Sequence, residues 1–209
     1  IHRGDIGKVV AAQLYYNGGG GSGKKPAVEN DEFRIRHHFQ YLALSGGVLN
    51  DQAIHVIDAC RAVLETNPLY AFGQSSAAGR KFEYGDTHTN YQVIYKYPND
   101  VNVAVQQMSV GSTSGGVCAR FFGELGTAEA NYSGGVFITG PNKWDSGNNN
   151  ALSDADALKG KSFIDSIVSG KYINQIEAGC NSTLAAIMGR EACYSGKKVT
   201  WKDMVSGKQ

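Results

Sequence analysis

The chain has 209 residues, with 20 Lys+Arg against 19 Asp+Glu, 42% apolar and 19% charged residues. A formal charge of +1 argues against a nucleic-acid or anionic-membrane binder, the apolar share excludes a mostly disordered chain, and no run of about 18 apolar residues could span a bilayer. Glycine is abundant, 27 residues against 4 prolines, which predicts many tight turns between strands rather than stiff linkers.

Ile1 to Gly7 carry neither an initiator Met nor a signal pattern, so the chain reads as beginning inside a longer protein. Ile6 to Tyr16 is a β-branched and aromatic run, predicted as a strand. A flexible Gly-rich stretch follows from Asn17 to Pro26, in a loop that lasts to about residue 32. Phe33 to Leu44 is too polar for an ordinary core segment, with Arg34, Arg36, His37, His38, Gln40 and Tyr41.

The clearest helix spans Asn50 to Glu65, with Asn50 as cap, Asp51 in the first turn, an apolar side from Ala53 to Leu64 and Pro68 closing it. Strands are predicted over 69–74, 90–97, 101–108, 118–123, 128–132 and 136–139. Tyr91, Val93, Tyr95 and Tyr97 alternate before the turn at Pro98-Asn99-Asp100, and Val101, Val103 and Val105 alternate after it, predicting an antiparallel hairpin. Residues 140–160, with Asn148-Asn149-Asn150, read as a polar loop. Helices are expected at 162–169, 175–194 and, after a Thr200 cap, 201–205. The order of elements predicts one α+β domain over 1–209, with helices gathered on one face of a largely antiparallel sheet.

Gly18-x4-Gly23-Lys24 follows a strand and resembles a phosphate-binding loop, but Lys25 stands where Ser or Thr should hold Mg²⁺ and Pro26 where a capping helix should begin. It is read as a mobile loop. Cys60, Cys118, Cys180 and Cys193 show no metal or redox spacing. Cys180 and Cys193 share a predicted helix at roughly 20 Å separation, which excludes a mutual disulfide, and buried thiols are expected. Unpatterned cysteines fit a reducing, cytoplasmic compartment and leave an exported protein open.

The densest constellation is Gly46-Gly47-x3-Asp51-x3-His55-x2-Asp58. On a helical wheel Asp51, His55 and Asp58 fall at about 0°, 40° and −20°, one stripe near the helix start. A histidine among carboxylates suits general acid/base work near neutral pH. The same stripe also fits the solvated face of an amphipathic helix, and a metal site would need ligands the sequence does not supply. Arg36 and Tyr41, with Arg34 nearby, are candidates for contacts to polyol hydroxyls, or else members of a salt-bridged segment. His88 reads as an exposed loop residue.

These residues carry a resemblance. The Gly-Gly, Asp and His segment, an opening Gly4-Asp5-Ile6-Gly7-Lys8-Val9, the run from Ser162 to Gly170, Thr183 to Arg190, and Ser195 to Trp201 together resemble the C-terminal domain of the Gfo/Idh/MocA oxidoreductases. The resemblance implies an open-faced, mostly antiparallel sheet that supplies substrate and subunit contacts, with a separate N-terminal Rossmann domain binding NAD or NADP. It implies His55 as the acid/base toward a sugar, polyol or glycoside, Asp51 as its assistant, and Gly47, Asp58, Arg34, Arg36 and Tyr41 around the substrate. The family's dinucleotide turn and Glu-Lys-Pro segment are missing from these residues. The chain by itself is therefore expected neither to hold the cofactor nor to turn over. Expected partners are a small carbohydrate, the Rossmann domain and further copies meeting through the sheet. A carbohydrate-binding or assembly module without catalysis is the alternative.

Overall fold

A computed structural model describes residues 1–18, 21–110, 115–147 and 151–207. In chain order the elements are β1 (Val9–Gly18), β2 (Ser22–Gly23), α1 (Asp31–Arg36), α2 (Leu42–Ser45), a π-turn (Leu49–Ala53) running into α3 (Ile54–Leu64), β3 (Tyr70–Ser76), β4 (Lys81–Phe82), β5 (Asn90–Lys96), β6 (Asn102–Ser109), β7 (Gly116–Gly123), β8 (Thr127–Asn131), β9 (Val136–Thr139), β10 (Trp144–Asp145), α4 (Ala151–Ser169), α5 (Ile176–Ser195), β11 (Val199–Thr200) and α6 (Trp201–Ser206).

The alternation read in the sequence builds the middle of the sheet. Tyr91, Val93 and Tyr95 of β5 stand opposite Gln107, Val105 and Val103 of β6, and all six are at most 1% exposed. Asn99 and Asp100 join the strands with φ of 58° and 64°, the two left-handed residues that a tight twisted hairpin turn requires. The full sheet has nine strands in the order β10-β9-β8-β7-β1-β6-β5-β3-β11. Its pairs are antiparallel except for β1 with β6, which run parallel at its centre.

α3 and α5 pack on one face, where Leu14, Val93, Val105 and Phe121 meet Val56, Ile57, Ala185 and Met188 in the core. Each fully buried aliphatic side chain there contributes about 1.5–3 kcal/mol. The other face is open, with Phe72 48% and Phe122 37% exposed. The fold is the expected α+β, an open-faced and mostly antiparallel sheet with helices on one side. No helix among the described residues is long and apolar enough to cross a membrane.

Three local expectations are corrected. The Gly-rich stretch and the loop to residue 32 are partly regular: β1 continues to Gly18, β2 pairs in parallel with β4, and Asn30 caps α1 by accepting from the Phe33 amide. Bare glycine permits this packing, since a Cβ at Gly21 or Gly23 would stand 2.8 Å from the Phe82 ring or 2.6 Å from the Tyr84 hydroxyl. Gly19 and Gly20 lie outside the described residues.

The predicted polar loop 140–160 becomes helix from residue 151, because its Ala, Leu, Asp and Lys content forms a good exposed helix, with a Lys159–Asp156 pair at 2.8 Å. Asn148 to Asn150 lie outside the described residues. Finally, Asn50 is not a cap. The chain is already helical there, and the Asn50 and Asp51 amides donate to the Gly47 carbonyl at 3.0 and 3.1 Å.

Candidate active site

Two consecutive glycines aim the constellation. Gly46 closes α2 at φ 74°, and Gly47 follows at φ 84°, a left-handed pair that turns the backbone into the π-turn. A Cβ on Gly47 would come 3.0 Å from the Tyr91 hydroxyl, so the residue also lets the helix start sit close upon the sheet. π-turns are rare and recur at functional sites.

Asp51 lies within that π-turn and His55 in the first turn of α3. Two phenols that sequence reading missed flank His55. The Tyr16 ring stacks at 6.2 Å and the Tyr132 ring stands at 5.4 Å, with 6.2 Å between the two phenols. Tyr16 ends the inward alternation of β1, while Tyr132 follows β8, and only the order β8-β7-β1 brings them together. Burial first, then the Tyr132 phenol and the Asp51 carboxylate, push the Tyr16 phenol above its ordinary value. Tyr16 thus stays a neutral donor beside the carboxylate. His55 is exposed, and among the described residues neither of its ring nitrogens has a hydrogen-bond partner. The imidazole is oriented by ring packing and open to a ligand.

Asp58 shares the stripe but faces α5, where it accepts from the Ser182 hydroxyl, and Arg61 Nε in turn donates to that oxygen at 3.2 Å. His55 and Asp58 still border a common cleft of about 330 Å³ with Ile54, Gln175, Gly179 and Thr183.

Arg34, Arg36 and Tyr41 lie elsewhere. Arg36 pairs with Glu32 at 2.9 Å on the surface of α1. The Tyr41 hydroxyl donates to Glu29 at 2.8 Å, and the Arg34 guanidinium sits 5.3 Å over the Tyr41 ring. Burial, with Glu29 accepting that bond, raises the Tyr41 phenol to about 12. Arg34 and Tyr41 border a separate cleft of about 330 Å³ with Ile35, Leu44 and Asp86. His88, expected on the surface, is half-buried: Ser75 Oγ is 2.7 Å from its Nδ1, and its ring stacks on Tyr194 at 4.4 Å. Among the described residues no group of three or more His, Cys, Asp or Glu side chains could cage a metal ion.

An open, mostly antiparallel sheet that carries a Gly-Gly, Asp and His helix start over its central strands defines the class. The chain belongs to the GFO/IDH/MocA C-terminal domain family, which matches residues 1–129. No curated protein matches it in sequence. Solved structures share its fold. Levoglucosan dehydrogenase in complex with NADH and L-sorbose aligns at TM-score 0.75 and 15% identity, over 98% of this chain and 62% of that one. Myo-inositol 2-dehydrogenase from Lactobacillus plantarum aligns at TM-score 0.70 and 18% identity, over 95% and 58%. Aldose-aldose oxidoreductase from Caulobacter crescentus, complexed with glycerol, aligns at 0.65 and 16%, over 95% and 57%. The chain therefore spans about three-fifths of the length of these structures.

Proposed function

We propose that this domain is the substrate-binding half of an NAD(P)-dependent oxidoreductase acting on a sugar, polyol or glycoside. The observation that carries the reading is the exposed His55 imidazole, held between the Tyr16 and Tyr132 rings with both nitrogens unpartnered among the described residues. Such a histidine can take the proton of a substrate hydroxyl while the carbon bearing it is oxidised, and Asp51, about one helical turn before it, is our candidate for orienting that substrate. The Tyr16 and Tyr132 hydroxyls are placed to orient neighbouring hydroxyls of a polyol. The oxidoreductases of similar fold named above, among them one bound to NADH and L-sorbose, support the class.

The residues present do not fit a dinucleotide. The Gly-rich segment after β1 leads into β2 rather than into a phosphate-binding helix, and the sheet around it is mostly antiparallel. We therefore assign the nicotinamide to a Rossmann domain joined to this one, and expect the chain alone to be inactive. The open sheet face is our candidate for contact between copies.

The test uses this domain joined to such a Rossmann domain. His55→Ala or Asp51→Asn should lower turnover of the best polyol by about 100-fold or more with cofactor affinity near wild type. Unchanged turnover in both variants refutes the assignment.

A further inference from the structure

One residue beyond Asp51, Gln52 enters the wall of a smaller cavity of about 150 Å³, shared with Phe39, Arg80, Phe82, His88 and Ser109. The sheet register locates it. Ser109 ends β6 opposite Gly18 of β1, two residues from Tyr16. At about 3.3 Å per residue and 4.8 Å between strands, Ser109 lies on the order of 8 Å from Tyr16, within the reach of one small sugar.

The polar groups of this cavity are fixed by interactions behind them. Arg80 Nη1 donates to the carbonyls of Gly85 and Thr87 at 3.1 and 3.5 Å, and among the described residues no carboxylate pairs with it. His88 is held through Nδ1 by Ser75 and through its ring face by Tyr194, so Nε2 is its open nitrogen. Gln107, fully buried, donates to Ser109 at 2.7 Å, and Ser109 donates to Gln52 Oε1 at 3.2 Å. Among the described residues the carbonyl oxygen of Gln107 has no partner, while its amide nitrogen holds the Ser109 hydroxyl in place.

Among the described residues no Asp or Glu lines the cavity. Burial first, and then the neighbouring Arg80 charge, depress the His88 imidazole. A half-buried guanidinium with only neutral carbonyls against it has unused charge and unused donors, the chemistry that recognises a carboxylate or a phosphate.

We propose that this cavity binds an anionic group of the substrate, a carboxylate or a phosphate, with Arg80 as its cationic partner and His88 and Gln52 as further donors. The inference rests on the sugar reading of Asp51 and His55 and narrows it to a sugar acid or a sugar phosphate. Glucose, glucuronate and glucose 6-phosphate are titrated into the chain, with calorimetry for affinity and NMR for the imidazole resonances of His55 and His88. One or both anionic sugars should bind about tenfold tighter than glucose and move the His88 resonance, and the tighter of the two identifies the anion. Arg80→Gln should bring that preference to within about twofold of unity. A structural clamp alone would weaken all three sugars in proportion and preserve the preference, which overturns the proposal, as does a wild-type chain that shows no preference. If Arg80→Gln does not fold, His88→Gln carries the same expectation and the same refutation. A His55 resonance indifferent to every sugar, with His88 responding, would count against the acid/base reading and leave the anion site standing.

Discussion

The Ser182 hydroxyl donates to the Asp58 carboxylate and so ties α3 to α5 beneath the His55 stripe. Ser182 is only 2% exposed and also accepts from Arg61. Ser182→Ala removes the shared atom and leaves both charged groups without it. The expected loss is about 1–2 kcal/mol in urea unfolding, with an unchanged slope against denaturant. Equal midpoints for variant and wild type would show that this triad does not stabilise the helix pair.

Gly189 lies where α5 crosses β5. A Cβ there would stand 2.0 Å from the Tyr95 hydroxyl, which donates to the Ala185 carbonyl at 2.9 Å. The Tyr95 ring is fully enclosed and cannot give way, so Gly189→Ala should cost about 3 kcal/mol or more. Gly47→Ala, strained at φ 84° but with a milder 3.0 Å approach, should cost less, about 1–2 kcal/mol. Calorimetric melting of the two variants checks both the size and the order.

Burial pushes the thiols of Cys60 and Cys193 from an ordinary value of 9.0 up to about 12. The folded chain therefore keeps protons that the unfolded chain releases. Stability from these groups is complete below about pH 9 and is lost as pH rises from there toward 12. Burial of Tyr91, Tyr95 and Tyr97 acts in the same direction. Melting temperatures between pH 7 and pH 11 should be flat and then fall; a rise above pH 9 would contradict this assignment.

The thiols also differ in access, and the expectation of buried cysteines needs one correction. Cys180 is exposed, whereas Cys60, Cys118 and Cys193 are buried. An aromatic disulfide reagent should modify a single thiol rapidly in the native chain, and all four only after denaturation. Two or more fast native equivalents would rule out this burial pattern.

The open sheet face presents Phe72 and Phe122 to solvent on opposite sides of its midline. Sedimentation of the chain should show self-association, and Phe72→Glu should abolish it while preserving the far-ultraviolet spectrum. A monomeric wild type at high concentration would exclude the sheet as the contact between copies.

Much of the scaffold was legible because its signals are local. The Tyr/Val alternation on either side of Asn99-Asp100 and the Gly-Gly step ahead of Asp51 each reflect a backbone requirement met within a dozen residues. The surroundings of the site were not legible, because they depend on strand order. Tyr16 and Tyr132 converge on His55 through two intervening pairings, and Arg80 gains significance only where a cavity without acids encloses it. The π-turn at Asp51 leaves no mark in hydrophobic spacing. The first half of α4 is hard to tell from a loop by polarity, because an exposed helix with i,i+3 and i,i+4 ion pairs has the same polar composition.

The parallel pairing of β1 with β6 has a bearing on how the domain is made. Val9–Gly18 occupies the centre of the sheet, yet its neighbours are Asn102–Ser109 and Gly116–Gly123, roughly a hundred residues downstream. During synthesis this segment has no sheet partner until Asn102–Ser109 has been translated, by which point the preceding β5 strand is available to pair with β6 as a local hairpin. Such distant closure slows folding and leaves an apolar strand open to wrong partners in the interval. Mutations that weaken the β5–β6 turn at Asn99-Asp100 are therefore expected to reduce soluble yield before they alter the finished domain.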